Sequence, residues 1–106
     1  MPDPINAGRV SDYEDSEPRV VLYPGAGAVA VVCVDGAFYA FSNYCTHEGT
    51  NLANGYGDLA GTTMICMMHN ASFDIRTGLV RGGPAGDPLV TYNVTVDGED
   101  VLISKA

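Results

Sequence analysis

Basic residues are scarce in this sequence of 106 residues, which has five Lys and Arg against thirteen Asp and Glu and a net charge of −8. Nucleic acids and anionic membrane surfaces are themselves negative, so this charge argues against both as partners. Long apolar runs are also missing, because the longest, Ala26–Val34, is far too short to span a bilayer. The acidic start, Met1–Glu17, lacks the charged-then-apolar pattern of a leader. We therefore expect no nucleic-acid or membrane partner. The acidic residues favour binding to a basic patch on a partner protein, or they serve only to keep the protein soluble.

The sequence has few cysteines, and their number is odd, so it does not predict a disulfide framework. The three cysteines are Cys33, Cys45 and Cys66. Thiols that stay reduced agree with a cytoplasmic location. The length predicts one domain over residues 1–106, with little room for a second core.

Helical periodicity is almost absent. Thirteen glycines and six prolines separate short runs rich in Val, Ile, Tyr and Phe, which is typical of an all-β sandwich or barrel. The Asp-Gly pairs within Val34–Ala37 and Val96–Glu99 predict two hairpins. The predicted strands are Arg19–Tyr23, Val29–Val34, Ala37–Ser42, Thr62–Cys66, Ser72–Asp74, Val90–Val96 and Val101–Ser104.

The middle of the chain differs from its two ends, because its strands are shorter and its predicted loops, Thr46–Asp58 and Thr77–Pro88, are longer. Both histidines and two of the three cysteines lie in this part. We therefore expect a loop-rich unit at about residues 43–88, inserted into a β base built from residues 17–42 and 89–106.

Three smaller expectations concern the base. Met1–Ser16 is predicted to be either a loose lead-in or an edge strand. Strand Val90–Val96 alternates apolar and polar residues, so one of its faces should be buried. Cys33 is predicted to be a buried, unpaired strand residue.

Two pairs of potential metal ligands stand out: Cys45 with His47, and Cys66 with His69. These are the only two histidines of the chain, and each follows a cysteine by two or three residues. A single histidine or cysteine would be read as an ordinary polar or small apolar residue. Four such residues paired in this way predict a metal site.

Thiolate and imidazole ligands suit zinc or the iron of a sulfide cluster. Zinc modules usually pair cysteine with cysteine and histidine with histidine, and a helix usually carries part of the site. Here each pair contains one Cys and one His, and no helix is predicted to follow. In a two-iron cluster one iron can take Cys45 and Cys66 while the other takes His47 and His69, so each pair gives one ligand to each iron.

With these two boxes, Cys-x-His and Cys-x-x-His, the sequence resembles the Rieske family. The similarity extends to Asn43–Tyr44, Leu52, Thr62–Ile65, Ser72–Gly78 and the proline loop Gly83–Ala85. Two positions depart from the family pattern: Met67 stands where proline is usual, and Asn70 where glycine is usual. Neither change removes a ligand. The resemblance implies a Rieske-type fold, with a β-sandwich base and a small inserted cluster-binding subdomain, and one [2Fe–2S] cluster per chain.

High-potential members of this family carry a serine and a tyrosine whose hydroxyls donate hydrogen bonds that stabilise the reduced cluster. The matching positions here are Ala71 and Phe73, which cannot donate. The extra cysteines that form a disulfide in those members are also missing. The resemblance therefore implies a low reduction potential.

The function implied is that of a ferredoxin, monomeric when free, which carries single electrons from an NAD(P)H-dependent flavoprotein reductase to a terminal ring-hydroxylating dioxygenase. The chain is not expected to be an enzyme, because both histidines are assigned to the cluster and none is left for a catalytic iron. Two alternatives stay within redox proteins: a subunit locked into a larger complex, or a ferredoxin for a diiron aromatic monooxygenase. A structural zinc module is the third alternative, and it would be colourless.

Overall fold

The computed structural model describes residues 4–25, 27–44, 57–66, 71–82 and 88–105. These residues form ten strands and one short 3-10 turn at Val10–Asp12. The strands are β1 (Ile5–Arg9), β2 (Arg19–Tyr23), β3 (Gly27–Val34), β4 (Ala37–Ser42), β5 (Gly57–Ala60), β6 (Thr63–Cys66), β7 (Ala71–Asp74), β8 (Val80–Gly82), β9 (Thr91–Asp97) and β10 (Asp100–Lys105). The all-β prediction is confirmed.

The strands make two antiparallel sheets. The base sheet has six strands in the order β1-β10-β9-β4-β3-β2, so strands from both ends of the chain lie side by side in it. The small sheet has four strands in the order β5-β6-β7-β8, taken from the middle of the chain. Within the described residues, no helix is long and apolar enough to cross a membrane.

Strand β3 lies between two apolar cores. Val29 and Val31 face the base core, where they pack with residues such as Val101 of β10. Ala30 and Val32 face the opposite way, into an inter-sheet core shared with the small sheet. Both faces are buried, which explains why this strand is a continuous apolar run without alternation.

The inter-sheet core joins the two sheets through large side chains. The base sheet contributes Phe41, and the small sheet contributes Met64 and Phe73, each at most 1 % exposed. Burying such side chains is the main favourable contribution to folding. This core therefore fixes how the small sheet sits on the base.

Two strands, β5 and β8, were not predicted from the sequence, and β1 was predicted only as one of two alternatives. In β1, Asn6 and Gly8 weaken the strand pattern, and a register shift lies between Asn6 and Arg9. β5 and β8 occupy parts of the predicted loops Thr46–Asp58 and Thr77–Pro88. The loop prediction was therefore wrong for residues 57–58 and 80–82. These short strands form because neighbours pair with them, since their residues have little strand preference of their own. Of the two readings of the N-terminal segment, edge strand is the right one.

One face of strand β9 is buried, but only along part of the strand. Tyr92 and Val94 pack on the base core as expected, whereas Val90 and Val96 are 57 % and 48 % exposed. Val90 precedes the strand, and Val96 lies close to the tip of the β9–β10 hairpin, so neither reaches the core. Cys33 also differs from expectation, because it lies in β3 but is only partly buried.

Both predicted hairpins are present. In the first, Asp35 and Gly36 have positive φ angles of 50° and 84°, as a type I′ turn requires. In the second, Asp97 pairs with Asp100, so the loop residues are Gly98 and Glu99, one position later than predicted. The positive φ of 62° falls on Gly98, which places the glycine first in the turn.

Gly78 connects the small sheet to the base. Its N–H donates to the Asp74 carbonyl at 2.6 Å, and its own carbonyl accepts a bond from the Leu89 N–H at 2.7 Å. Its φ is 82°, and a Cβ placed there would lie 2.0 Å from the Leu89 carbonyl oxygen. No other residue fits this position without moving backbone.

Gly78→Ala should lower the free energy of unfolding by about 2–5 kcal/mol, because left-handed strain is joined by a clash with backbone. Gly36→Ala is the matched control: its φ is 84° and no atom lies within 4 Å of the added Cβ. The control should cost only about 1–2 kcal/mol. Urea unfolding of the two variants measures the difference, and equal losses would contradict the role given to the Leu89 contact.

Candidate metal centre

Cys66 is the one predicted ligand that lies among the described residues. It is the last residue of β6, where it pairs with Gly57 of β5 and Ala71 of β7. It is 1 % exposed and belongs to the inter-sheet core together with Met64 and Phe73. The small sheet therefore holds this cysteine in a dry, apolar setting at the end of a strand.

The other three predicted ligands, Cys45, His47 and His69, lie outside the described residues. The same holds for Leu52, Met67, Met68, Asn70 and the proline loop Gly83–Ala85. Among the residues that are described, no three of His, Cys, Asp and Glu come together as a metal site. The four-ligand set therefore stays a prediction.

The segment that leads to Cys45 is firmly attached to the base sheet. The Ser42 N–H donates to the Val90 carbonyl at 2.8 Å, and the Asn43 N–H donates to the Ala28 carbonyl at 3.1 Å. Asn43 is 1 % exposed. The chain thus enters the first ligand box from a fixed point at the end of β4.

The donor set suits a two-iron cluster. Two thiolates and two neutral imidazoles are the ligands of a [2Fe–2S] centre in which one iron has cysteine ligands and the other histidine ligands. The burial of Cys66 among apolar side chains agrees with a thiolate shielded from water. The residues present therefore fit this cofactor.

The two positions that the family resemblance links to the reduction potential, Ala71 and Phe73, lie on β7. Ala71 pairs with Cys66, and Phe73 pairs with Met64. Phe73 is fully buried in the inter-sheet core, where its ring packs with apolar residues. Neither side chain can donate a hydrogen bond.

An ion-pair network that the sequence did not predict covers the outer face of β7. Asp74 Oδ2 accepts from Arg76 Nη2 at 2.9 Å and from Arg81 Nη2 at 2.8 Å, while Asp74 Oδ1 accepts from the Arg76 backbone N–H at 2.9 Å. The Arg76 guanidinium, together with Arg81, holds the pKa of Asp74 well below its usual range. Arg76 lies two residues from Asp74 in the sequence, and this spacing could have indicated an ion pair between them. The contact of Arg81 with Asp74 could not be predicted without knowing that β8 pairs with β7.

The chain is similar to known proteins over most of its length. The family model described as the Rieske [2Fe-2S] domain matches residues 3–93. The biphenyl dioxygenase ferredoxin subunit of Pseudomonas sp. (strain KKS102) is 40% identical over 78 residues, which cover 74% of this chain and 71% of that protein. The 3-phenylpropionate/cinnamic acid dioxygenase ferredoxin subunit of Escherichia coli (strain K12) is 40% identical over 100 residues, covering 93% of this chain and 91% of the relative.

Solved structures of ferredoxins are also similar to this chain. A ferredoxin of Sphingomonas yanoikuyae B1 superposes with a TM-score of 0.87 at 34% identity, covering 98% of this chain and 100% of that one. A ferredoxin in a complex of reduced oxygenase and oxidized ferredoxin in carbazole 1,9a-dioxygenase gives a TM-score of 0.88 at 30% identity, covering 95% and 92% of the two chains.

The two-sheet all-β fold and the ligand boxes define an iron–sulfur electron carrier. The chain belongs to the Rieske [2Fe–2S] domain family and binds one [2Fe–2S] cluster. It is an electron-transfer component and not a catalytic subunit, as predicted. The match also argues against the zinc alternative.

Proposed function

We propose that this chain is the ferredoxin of an aromatic-ring-hydroxylating dioxygenase system. It would take single electrons from an NAD(P)H-dependent flavoprotein reductase and pass them to a terminal oxygenase. The observation that carries this proposal is the 40% identity to a dioxygenase ferredoxin subunit over 93% of the chain. The ferredoxin–oxygenase complex among the structural neighbours supports the oxygenase as acceptor. A cytoplasmic location and a monomeric free state stay predictions.

Reconstitution tests this function. The holoprotein is combined with NADH and with the reductase and oxygenase components of the biphenyl and of the 3-phenylpropionate dioxygenase systems. We expect substrate-dependent oxygen uptake that requires the ferredoxin, with an inactive mixture when it is omitted. A diiron aromatic monooxygenase serves as the alternative acceptor. Transfer to that enzyme and to neither dioxygenase would overturn the proposal.

The cluster supplies a one-electron redox centre, and we propose that four residues of this chain hold it. Cys45 and Cys66 would bind one iron, and His47 and His69 the other. Support comes from Cys66, which is buried at the end of β6. We further propose that residues 43–88 act as the cluster-binding unit on a base of residues 17–42 and 89–106, in line with the separate sheet formed by β5–β8. The predicted base was too short at the N-terminal side, because β1 (Ile5–Arg9) also belongs to the base sheet through its pairing with β10.

Replacing single cysteines tests this ligand set. Cys66→Ala should abolish the visible absorption and lower the iron content, because a thiolate ligand is lost. Cys33→Ala, in β3 and outside both ligand boxes, is the matched control and should keep the cluster. Iron and sulfide analysis of the two proteins measures the outcome. A Cys66→Ala protein with an unchanged spectrum would contradict the assignment.

We also propose that the potential lies toward the lower end of the range of about −150 to +300 mV that Rieske centres span. The support is the lack of hydroxyl donors at Ala71 and Phe73, both on the strand that pairs with Cys66. Without these donors, the extra negative charge of the reduced state is less compensated.

Ala71→Ser combined with Phe73→Tyr should therefore raise the reduction potential, because both side chains gain a donor. Phe38→Tyr adds the same hydroxyl at the base core and should leave the potential unchanged. Redox titration followed by EPR gives both values. An unchanged or lower potential in the double variant would show that these positions do not set it.

A further inference from the structure

The chain reaches the two proposed cysteine ligands in different ways. Cys66 is 1% exposed at the end of β6, and it pairs with Gly57 on one side and Ala71 on the other. Cys45 directly follows Tyr44, which is 40% exposed. The inter-sheet core therefore holds Cys66, whereas the last described residue before Cys45 lies at the surface.

Backbone bonds attach the segment before Cys45 to the base sheet at two residues. The Ser42 N–H donates to the Val90 carbonyl, and the Asn43 N–H donates to the Ala28 carbonyl. The Tyr44 N–H donates to Oγ of Ser42 at 3.3 Å. Because Ser42 lies only two residues earlier in the same segment, this third bond ties Tyr44 to its own segment and not to a neighbouring strand.

The ring of Tyr44 reaches the base sheet directly. It lies over Gly27, the first residue of β3, where an added Cβ would be 3.4 Å from the Tyr44 hydroxyl oxygen and 3.6 Å from Cε2. These are van der Waals distances, so a methyl group would just fit there and a larger side chain would not. The glycine thus leaves the space in which the ring rests on β3.

The orientation of Tyr44 bears on the residue that follows it. A peptide bond is planar, so the backbone dihedrals of Tyr44 set the direction in which the chain continues to Cys45. The contact with Gly27 restricts these dihedrals, because a rotation of the backbone would lift the ring off β3. Such a restriction matters for a metal site, whose ligands need to be held to within about 0.5 Å.

We propose that Tyr44 is a positioning residue for the cluster, and that its ring, resting on Gly27, holds the backbone that places Cys45 at the iron. This inference rests on the proposed function and its ligand set. The ring acts only through the backbone that leads to Cys45. Its effect therefore appears in the geometry of the cluster and in how firmly the iron is held.

Two changes at Tyr44 separate the ring from the hydroxyl group. Tyr44→Ala removes the ring, whereas Tyr44→Phe keeps the ring and loses only the hydroxyl. Leu22→Ala is the matched control, because it removes a side chain that is 78% exposed from β2, the neighbour of β3. Each holoprotein is measured for the EPR line width of the dithionite-reduced cluster, the rate of iron loss to a chelator and the unfolding midpoint in urea.

We expect Tyr44→Ala to broaden the EPR lines and to lose iron about tenfold faster, because Cys45 is then held less firmly. Tyr44→Phe and Leu22→Ala should agree with the wild-type protein within about twofold in iron loss. A Tyr44→Ala protein with wild-type lines and a lowered unfolding midpoint would overturn the inference, since the ring would then serve overall stability alone. Equal losses in Tyr44→Phe and Tyr44→Ala would overturn it as well.

A pair of glycine variants tests the surface beneath the ring. Gly25 and Gly27 have the same φ of 83°, but no atom lies within 4 Å of a Cβ added to Gly25. Gly27→Val takes space that the Tyr44 ring occupies and should broaden the EPR lines. Gly25→Val has the same backbone strain and should leave them unchanged. Equal line widths in the two variants would contradict the role given to this contact.

Cys45→Ala separates a failure of this inference from a failure of the ligand set. If Cys45→Ala loses the cluster while Tyr44→Ala behaves as the wild-type protein does, the ligand set stands and the positioning role of Tyr44 is wrong. If Cys45→Ala keeps an unchanged cluster, the ligand set is wrong and the inference fails with it.

Discussion

Burial of β3 on both of its faces is the constraint on which the rest of the structure depends. One face of this strand belongs to the base core and the other to the inter-sheet core, so each sheet packs against the same backbone. Protein interiors are densely packed and tolerate little change in volume, so the two sheets cannot shift independently. The position of the small sheet, and with it the position of Cys66, is set by this shared strand.

The contacts around the candidate metal centre extend the same constraint. The first ligand box begins where Asn43 is tied to Ala28 at the start of β3, and the second begins at Cys66 within the inter-sheet core. Gly78 adds a third attachment through its bond from Leu89. A redox centre benefits from such rigidity, because a rigid site changes little in geometry when its charge changes.

Much of the fold, and the identity of the cofactor, could be predicted from the sequence. Strands rich in branched and aromatic residues, such as β2 and β4, had the predicted bounds, and the unusual pairing of Cys with His identified the cofactor. The strands β5 and β8 could not be predicted, because Gly, Asp, Ala and Arg have little strand preference and pair there only in the folded context. The ion-pair network of Asp74 could not be predicted for the same reason, since Arg81 reaches Asp74 only once β8 has formed. The one-residue shift at Gly98 reflects strand register, which local turn residues do not fix alone.

The central claim is that one iron of the cluster has two histidine ligands, and that His47 and His69 supply them. EPR of the dithionite-reduced protein, prepared with natural and with ¹⁵N-labelled histidine, tests it most directly. The account predicts an S = 1/2 signal whose nitrogen couplings come from two histidines and change with the label. A signal without histidine couplings, or no S = 1/2 signal at all, would contradict it.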